Sequence, residues 1–236
     1  MKTQRIIPAI IPDSFEHLKS RLRDVRGVAR RVQVDVMDGS YAPPHTWPYV
    51  GAHAEAVQEG VRGDVTLPYW QEFDFEIDLL LSEPERKIEE WALAGASTVI
   101  IHAETTDRID DIMRDCRERR VEVGIAIKPS YDIEALAPYV GQALFVQVMG
   151  NERVGYHGVS LQDEAVEKIR ALHARWPSLQ VGVDIGVSQE TLPTLCEAGA
   201  RRFAAGSAVF GFTSPEGAYL HLEDVVSKHV ASYYNT

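Results

Sequence analysis

The chain reads as a (β/α)8 TIM barrel on three observations. Eight short runs rich in apolar and β-branched residues recur along it, and stretches of helical period lie between them. The alternation also runs the whole length without a linker, a low-complexity tract or a break in composition. Its 236 residues lie close to the roughly 250 that such a barrel occupies, so the expectation is one domain spanning 1–236. A doubly wound open sheet is the competing architecture, and it usually carries a Gly-rich turn after its first strand. Here the first run leads into Pro12-Asp13-Ser14, with no glycine, and the barrel is favoured.

The strands are expected at 5–11, 31–37, 75–81, 98–102, 121–127, 144–149, 179–184 and 202–205. The first helical stretch, 14–26, places Phe15, Leu18 and Leu22 opposite Glu16, Lys19 and Arg23. The stretch 83–93 has Pro84 in its first turn and stops before Gly95, the expected asymmetry of helix start and end. Stretches 163–175 and 188–198 repeat the pattern, the second with Ser188 as N-cap and Gly199 at its end. Between His45 and Phe73 the chain is longer than a crossover needs and carries Trp47-Pro48-Tyr49 and Leu67-Pro68-Tyr69-Trp70. A lid or dimer surface and plain packing of loop aromatics stand there as equal readings.

Composition narrows the function. The chain is 45% hydrophobic and 25% charged, an ordinary soluble globular balance. A net charge of -11 argues against nucleic acid or an anionic membrane as partner. It leaves room for a small phosphorylated substrate, because backbone amides bind phosphate in acidic proteins too. Cys116 and Cys196 lack CxxC spacing and read as reduced, partly buried thiols. No apolar run is long enough to span a bilayer, and Pro8 and Pro12 interrupt the basic-then-apolar start. The expected location is the cytoplasm.

The chemistry is concentrated at strand ends. In Val32-Gln33-Val34-Asp35-Val36-Met37-Asp38-Gly39, alternation puts Gln33, Asp35 and Met37 on one face and the valines on the other. The third strand offers Glu76 and Asp78 in the same phase, and the seventh offers Asp184. Asp35, Asp78 and Asp184 then converge at the barrel mouth, where such folds hold their active sites. Carboxylates sharing a small volume repel unless protons or a cation offset them. Their convergence predicts a divalent metal or a carboxyl of raised pKa. A single strand-end Asp is more often a helix cap or an ion-pair partner. Three on the inward phase of three strands point to a site.

A second constellation is built of glycines. Asp184-Ile185-Gly186 follows the seventh strand and Gly206-Ser207 the eighth, where barrels often cradle phosphate. Gly155-Tyr156-His157-Gly158 follows the sixth. His102 and Glu104 read as structural, while Lys128 would reach phosphate, a sugar hydroxyl or a salt-bridge partner. His45 and His157 fall in loops.

These residues resemble the ribulose-phosphate 3-epimerase family over nearly the whole chain. Asp35-Val36-Met37-Asp38-Gly39 looks like that family's DVMDG signature. Pro8-Ala9-Ile10-Ile11 resembles its first strand, and Asp78-Leu79-Leu80 through Glu83-Pro84-Glu85 its HLM…PE segment. Ala94-Gly95-Ala96 through His102-Ala103-Glu104 is similar to its AGA…HxE segment, and Gly124-Ile125-Ala126-Ile127-Lys128-Pro129 to its fifth strand. Val183-Asp184-Ile185-Gly186 matches VDGG with one change, and 205–211 matches AGSAIFG closely.

The resemblance implies epimerisation of a ketopentose phosphate beside its carbonyl. One Asp removes a proton and another returns one on the opposite face of a planar enediolate, roles that fall on Asp35 and Asp184. It places Met37 and Met149 against the substrate and Gly155, Gly158, Gly186, Gly206 and Ser207 around its phosphate. The family's metal is held by two His and these two Asp, and here the His positions are Gln33 and Asp78. Gln33, Asp35, Asp78 and Asp184 form an oxygen-only set, suited to Mg²⁺ or Mn²⁺ over Zn²⁺. No organic cofactor is implied, and a homo-oligomer, dimer or higher, is expected. The family's first-strand Ser falls on Pro12, Leu80 stands where Met is usual, and the phosphate loop of the sixth strand reads Glu152-Arg153-Val154-Gly155-Tyr156-His157-Gly158-Val159. A phosphosugar-binding barrel without catalysis is the alternative reading; a decarboxylase or lyase would need an Asp-x-Lys pair at a strand end, which this chain lacks.

Overall fold

The computed structural model describes residues 4–50, 67–156 and 158–233, with side chains to 230. Eight parallel strands follow chain order around a closed barrel: β1 (Ile6–Ile10), β2 (Arg31–Met37), β3 (Asp74–Leu80), β4 (Ala96–His102), β5 (Glu122–Ile127), β6 (Phe145–Met149), β7 (Val181–Asp184) and β8 (Arg202–Ala205). β8 pairs back onto β1. The (β/α)8 expectation is met, and each strand overlaps the run that predicted it. Period two decides which side chains meet inside. Val32, Val34 and Val36 of β2 and Phe75, Ile77 and Leu79 of β3 face outward and are fully buried beneath helices. The opposite phase of β2 and β3 carries the polar residues, with Gln33 level with Glu76 and Asp35 level with Asp78.

The outer layer comprises α1 (Phe15–Asp24), α2 (Ile88–Ala94), α3 (Ile109–Arg119), α4 (Asp163–Arg175), α5 (Leu192–Ala198), α6 (Ser207–Phe210) and α7 (Pro215–Tyr233). Ser14 caps α1 by accepting from His17 N, and Leu18 and Leu22 are its buried stripe. The 83–93 stretch divides into a 3-10 turn, Pro84–Arg86, and α2, which ends at Gly95 in the left-handed region. Between β5 and β6 the described chain forms only a 3-10 turn, Ile133–Leu136.

One expectation is corrected. α5 begins at Leu192, so Ser188 is not its N-cap. Residues 188–191 form a turn instead, in which Ser188 N donates to Thr191 Oγ1 and that hydroxyl donates to Gly186 O. Pro193, in the first turn, lets the helix start late without losing a needed N–H.

Of the aromatics of the long second connection, Trp47, Tyr49 and Tyr69 pack in or against the core, while Trp70 is exposed. Trp47 lies 5.4 Å from Phe15 and 6.1 Å from Trp91, and Leu67 is buried. Residues 51–66, part of the lid or dimer-surface reading, and His157 lie outside the described residues. Among the described residues no helix is long and apolar enough to cross a membrane.

Candidate active site

Asp35, Asp78 and Asp184 meet inside the mouth of the barrel. All three are buried, and one oxygen from each lies within 4.8 Å of the others. Gln33 crosses between two of them, its Nε2 donating to Asp35 Oδ1 at 2.8 Å and to Asp184 Oδ2 at 3.0 Å. Asp78 has different partners: His102 Nε2 at 3.0 Å and Gln147 Nε2 at 3.4 Å.

The backbone holds these groups from outside. Thr46 Oγ1 donates to Asp35 O at 3.0 Å and accepts from Met37 N at 2.9 Å, so the return of the second connection braces the end of β2. Asp184 is braced from β6, where Gly150 N donates to Asp184 O at 2.5 Å. That approach needs glycine, since a Cβ at 150 would sit 2.0 Å from Ile185 O. Asp184 also accepts from Ile185 N at 2.7 Å. Ile185 pays for this turn with φ 75, a left-handed conformation rare for a β-branched residue.

Burial and crowding act together on the carboxyls. Burial first, then the charges of Asp184 and Asp78, hold the Asp35 carboxyl well above its ordinary range, against the opposing hydrogen bond from Gln33. Asp184 is pushed up to about 6, by burial and then by Asp78, while Gln33, the Ile185 amide and His102 pull it down. The raised pKa expected of converging carboxylates is present.

Asp35 and Asp184 open onto a cavity of about 420 Å³. Met149, Gly155, Gly158, Gly186, Gly206 and Ser207 line it too, so the glycine loops and the two carboxylates share one space. Gly186 lies at φ +74, and a Cβ there would sit 2.6 Å from Leu161 N. Met37 is buried beside this wall, close to Gly155, and does not line the cavity. Gln33 and Asp78 sit behind it. Lys128 packs over the Tyr41 ring at 4.7 Å, and Arg153 over Tyr156 at 5.3 Å. His45 lies against Gly39, away from the cluster.

A divalent cation fits this donor set. Three buried carboxylates offer oxygens at mutual reach, and the buried Gln33 Oε1 has no hydrogen-bond partner. Sequence reading alone missed the contacts of His102 and Gln147 with Asp78. The signal was available, since both fall in the inward phase of their strands, and Gln147 is the one polar residue of β6.

Buried carboxylates gathered at the mouth of a closed (β/α)8 barrel are compatible with an enzyme that works by proton transfer. The profile described as "Ribulose-phosphate 3 epimerase family" matches residues 5–210, and the chain belongs to that family. It is 33% identical over 229 residues to the ribulose-phosphate 3-epimerase of Schizosaccharomyces pombe, covering 97% of this chain and 96% of that one. To the Bacillus subtilis ribulose-phosphate 3-epimerase it is 29% identical, over 88% of this chain and 92% of the other. A solved 3-hexulose-6-phosphate synthase from Salmonella typhimurium superposes with a TM-score of 0.68 at 16% identity, covering 95% of this chain and 99% of its own. That likeness speaks for the barrel alone. Membership of the family makes the protein an epimerase-like isomerase, and the three buried Asp are compatible with a two-Asp mechanism.

Proposed function

We propose that the protein epimerises a ketose phosphate at the carbon beside its carbonyl, with Asp35 and Asp184 as the two proton carriers. The observation behind this reading is that carboxylates from β2 and β7 face one cavity and are tied through a single amide nitrogen. Inversion needs one acid and one base on opposite faces of the enediolate. Burial and the charges of Asp184 and Asp78 raise the Asp35 carboxyl well above its ordinary range and suit it as the acid, while Asp184, pushed up to about 6, suits the base. For the reverse epimer the roles exchange.

The phosphate end would lie against Gly155, Gly158, Gly186, Gly206 and Ser207. No Lys or Arg lines the cavity among the described residues, so backbone amides and hydroxyls such as Ser160 and Ser207 would bind it. Met149 packs against the sugar chain, and Met37 supports it from behind. A divalent cation on Asp35, Asp78, Asp184 and Gln33, Mg²⁺ or Mn²⁺ over Zn²⁺, would supply positive charge for the developing enediolate oxygen. We further read 1–236 as one domain and the protein as a cytoplasmic homo-oligomer; light scattering on the purified protein checks the oligomeric state.

The deciding experiment is incubation with D-ribulose 5-phosphate in D2O, with and without Mn²⁺, following deuterium at C3 by NMR. Exchange is expected. Its absence under both conditions overturns the reading for this sugar and favours another substrate or a non-catalytic phosphosugar-binding barrel.

A further inference from the structure

Gln33 is fully buried, and one end of its amide is used while the other is idle. Both Nε2 hydrogens are spent on carboxylates, at 2.8 Å on Asp35 and 3.0 Å on Asp184. Oε1 has no hydrogen-bond partner. A buried polar atom left unpaired is uncommon and calls for an explanation.

Electrostatics supplies one. Ionised carboxylates only accept hydrogen bonds, so a cluster holding no cation selects the amino group inward. A divalent cation among the three carboxylates reverses the preference. It repels the amino end of the amide dipole and takes the carbonyl oxygen as a hard ligand. The torsion that exchanges the two ends is a terminal sp³–sp² rotation, broad and roughly two-fold, so nitrogen and oxygen can trade places while the backbone of β2 stays still.

We propose that the Gln33 amide is a two-position latch. With its amino group inward it ties Asp35 to Asp184, and with its carbonyl inward it ligates a cation held by Asp35, Asp78 and Asp184. Gln33 is thus a positioning residue in one state and a ligand in the other. The proposal rests on the epimerase reading only in taking Asp35 and Asp184 as the reacting groups.

The test uses the full-length ¹⁵N-labelled protein, stripped with EDTA, with the Gln33 side-chain NH2 pair assigned by its loss in Gln33→Met. MgCl2 is titrated while the NH2 pair is followed by NMR and binding by calorimetry. The latch predicts that the Gln33 NH2 signals shift in step with bound Mg²⁺. Their hydrogens should also exchange faster with solvent once the carboxylate acceptors are lost. Gln33→Met should bind Mg²⁺ roughly 10- to 100-fold more weakly. Saturable Mg²⁺ binding with unmoved Gln33 signals overturns the latch, as does no Mg²⁺ binding at all or unchanged affinity in Gln33→Met. Deuterium exchange into D-ribulose 5-phosphate on the same samples separates the two ideas. A moving latch without exchange supports the latch and counts against the epimerase reading, whereas exchange with unmoved signals does the reverse.

Discussion

The barrel interior holds two layers of buried charge, centred on Glu76 and Asp78, two residues apart on β3. In the lower layer Glu76 is gripped by Arg202, whose Nη2 lies 2.6 Å from both carboxylate oxygens, with Arg31 Nε at 3.1 Å. The Arg202 guanidinium also stacks on Phe145 at 3.9 Å from the ring centre. In the upper layer three carboxylates meet, held by the Gln33 and Gln147 side-chain amides, His102 and the Ile185 N–H. Opposite charges meet below, two guanidiniums on one carboxylate, whereas no Lys or Arg is paired with the carboxylates above among the described residues. The lower layer therefore reads as structure, while the upper one keeps electrostatic energy that chemistry can use. Only the upper layer faces the cavity.

The largest contrast should appear in activity. Asp184→Asn removes a proposed proton carrier and leaves the shape unchanged, so C3 exchange should fall by about 10²–10⁴-fold. Retained exchange would remove Asp184 from the mechanism. Breaking the lower layer should act on folding instead. Arg202→Met leaves Glu76 buried with one partly exposed partner, and the fold should lose about 3–5 kcal/mol in urea unfolding. Adding Glu76→Met to that variant should recover most of the loss. If Arg202→Met unfolds at the wild-type midpoint, the lower layer is not the structural one.

Much of this division was legible in the residues. Strands buried on both faces are nearly continuous apolar runs, so 31–37 coincides with β2 and the other runs overlap their strands. Alternation alone brought Asp35, Asp78 and Asp184 to one point, because inward phase and strand end together specify depth in a barrel. Pairing within the layers was hidden. Which carboxylate takes His102 and which end of Gln33 faces inward depend on distances across the bore that one-dimensional spacing does not carry. Ser188 failed as a cap for a related reason: its polar pattern suits a helix start, but Thr191 bonds back to Gly186 and delays the helix.

The unbalanced layer should also cost stability in a pH-dependent way. Asp184 has a folded pKa of about 6, above its unfolded value, so the folded state binds more protons in between. The stabilisation linked to its proton is full below the unfolded pKa and is lost as pH rises through about 6. Asp35 is shifted in the same direction. In EDTA, wild-type protein should therefore lose on the order of 1–3 kcal/mol relative to Asp184→Asn between about pH 4 and pH 7. Asp184→Asn should be the more stable protein at pH 7, the reverse of the lower-layer variant. Parallel stability curves across that range would show that Asp184 carries no such load.

The smallest effect expected lies beside the same carboxylate. Ile185 at φ 75 keeps its own N–H on Asp184 Oδ1, and its carbonyl meets Gly150 closely enough to exclude any side chain there. A β-branched residue in that region stores roughly 1–3 kcal/mol of backbone strain, whereas glycine adopts it freely. Ile185→Gly also loses a half-buried side chain and adds freedom to the unfolded chain, and both terms oppose the relief. The net gain should be at most about 1 kcal/mol, read as a small rise in the unfolding midpoint. The sharper readout is exchange activity. If the strained turn fixes the Asp184 carboxylate, Ile185→Gly should lower C3 exchange even as stability rises, while equal activity would mean that the Gly150 contact and the Gln33 tie hold Asp184 by themselves.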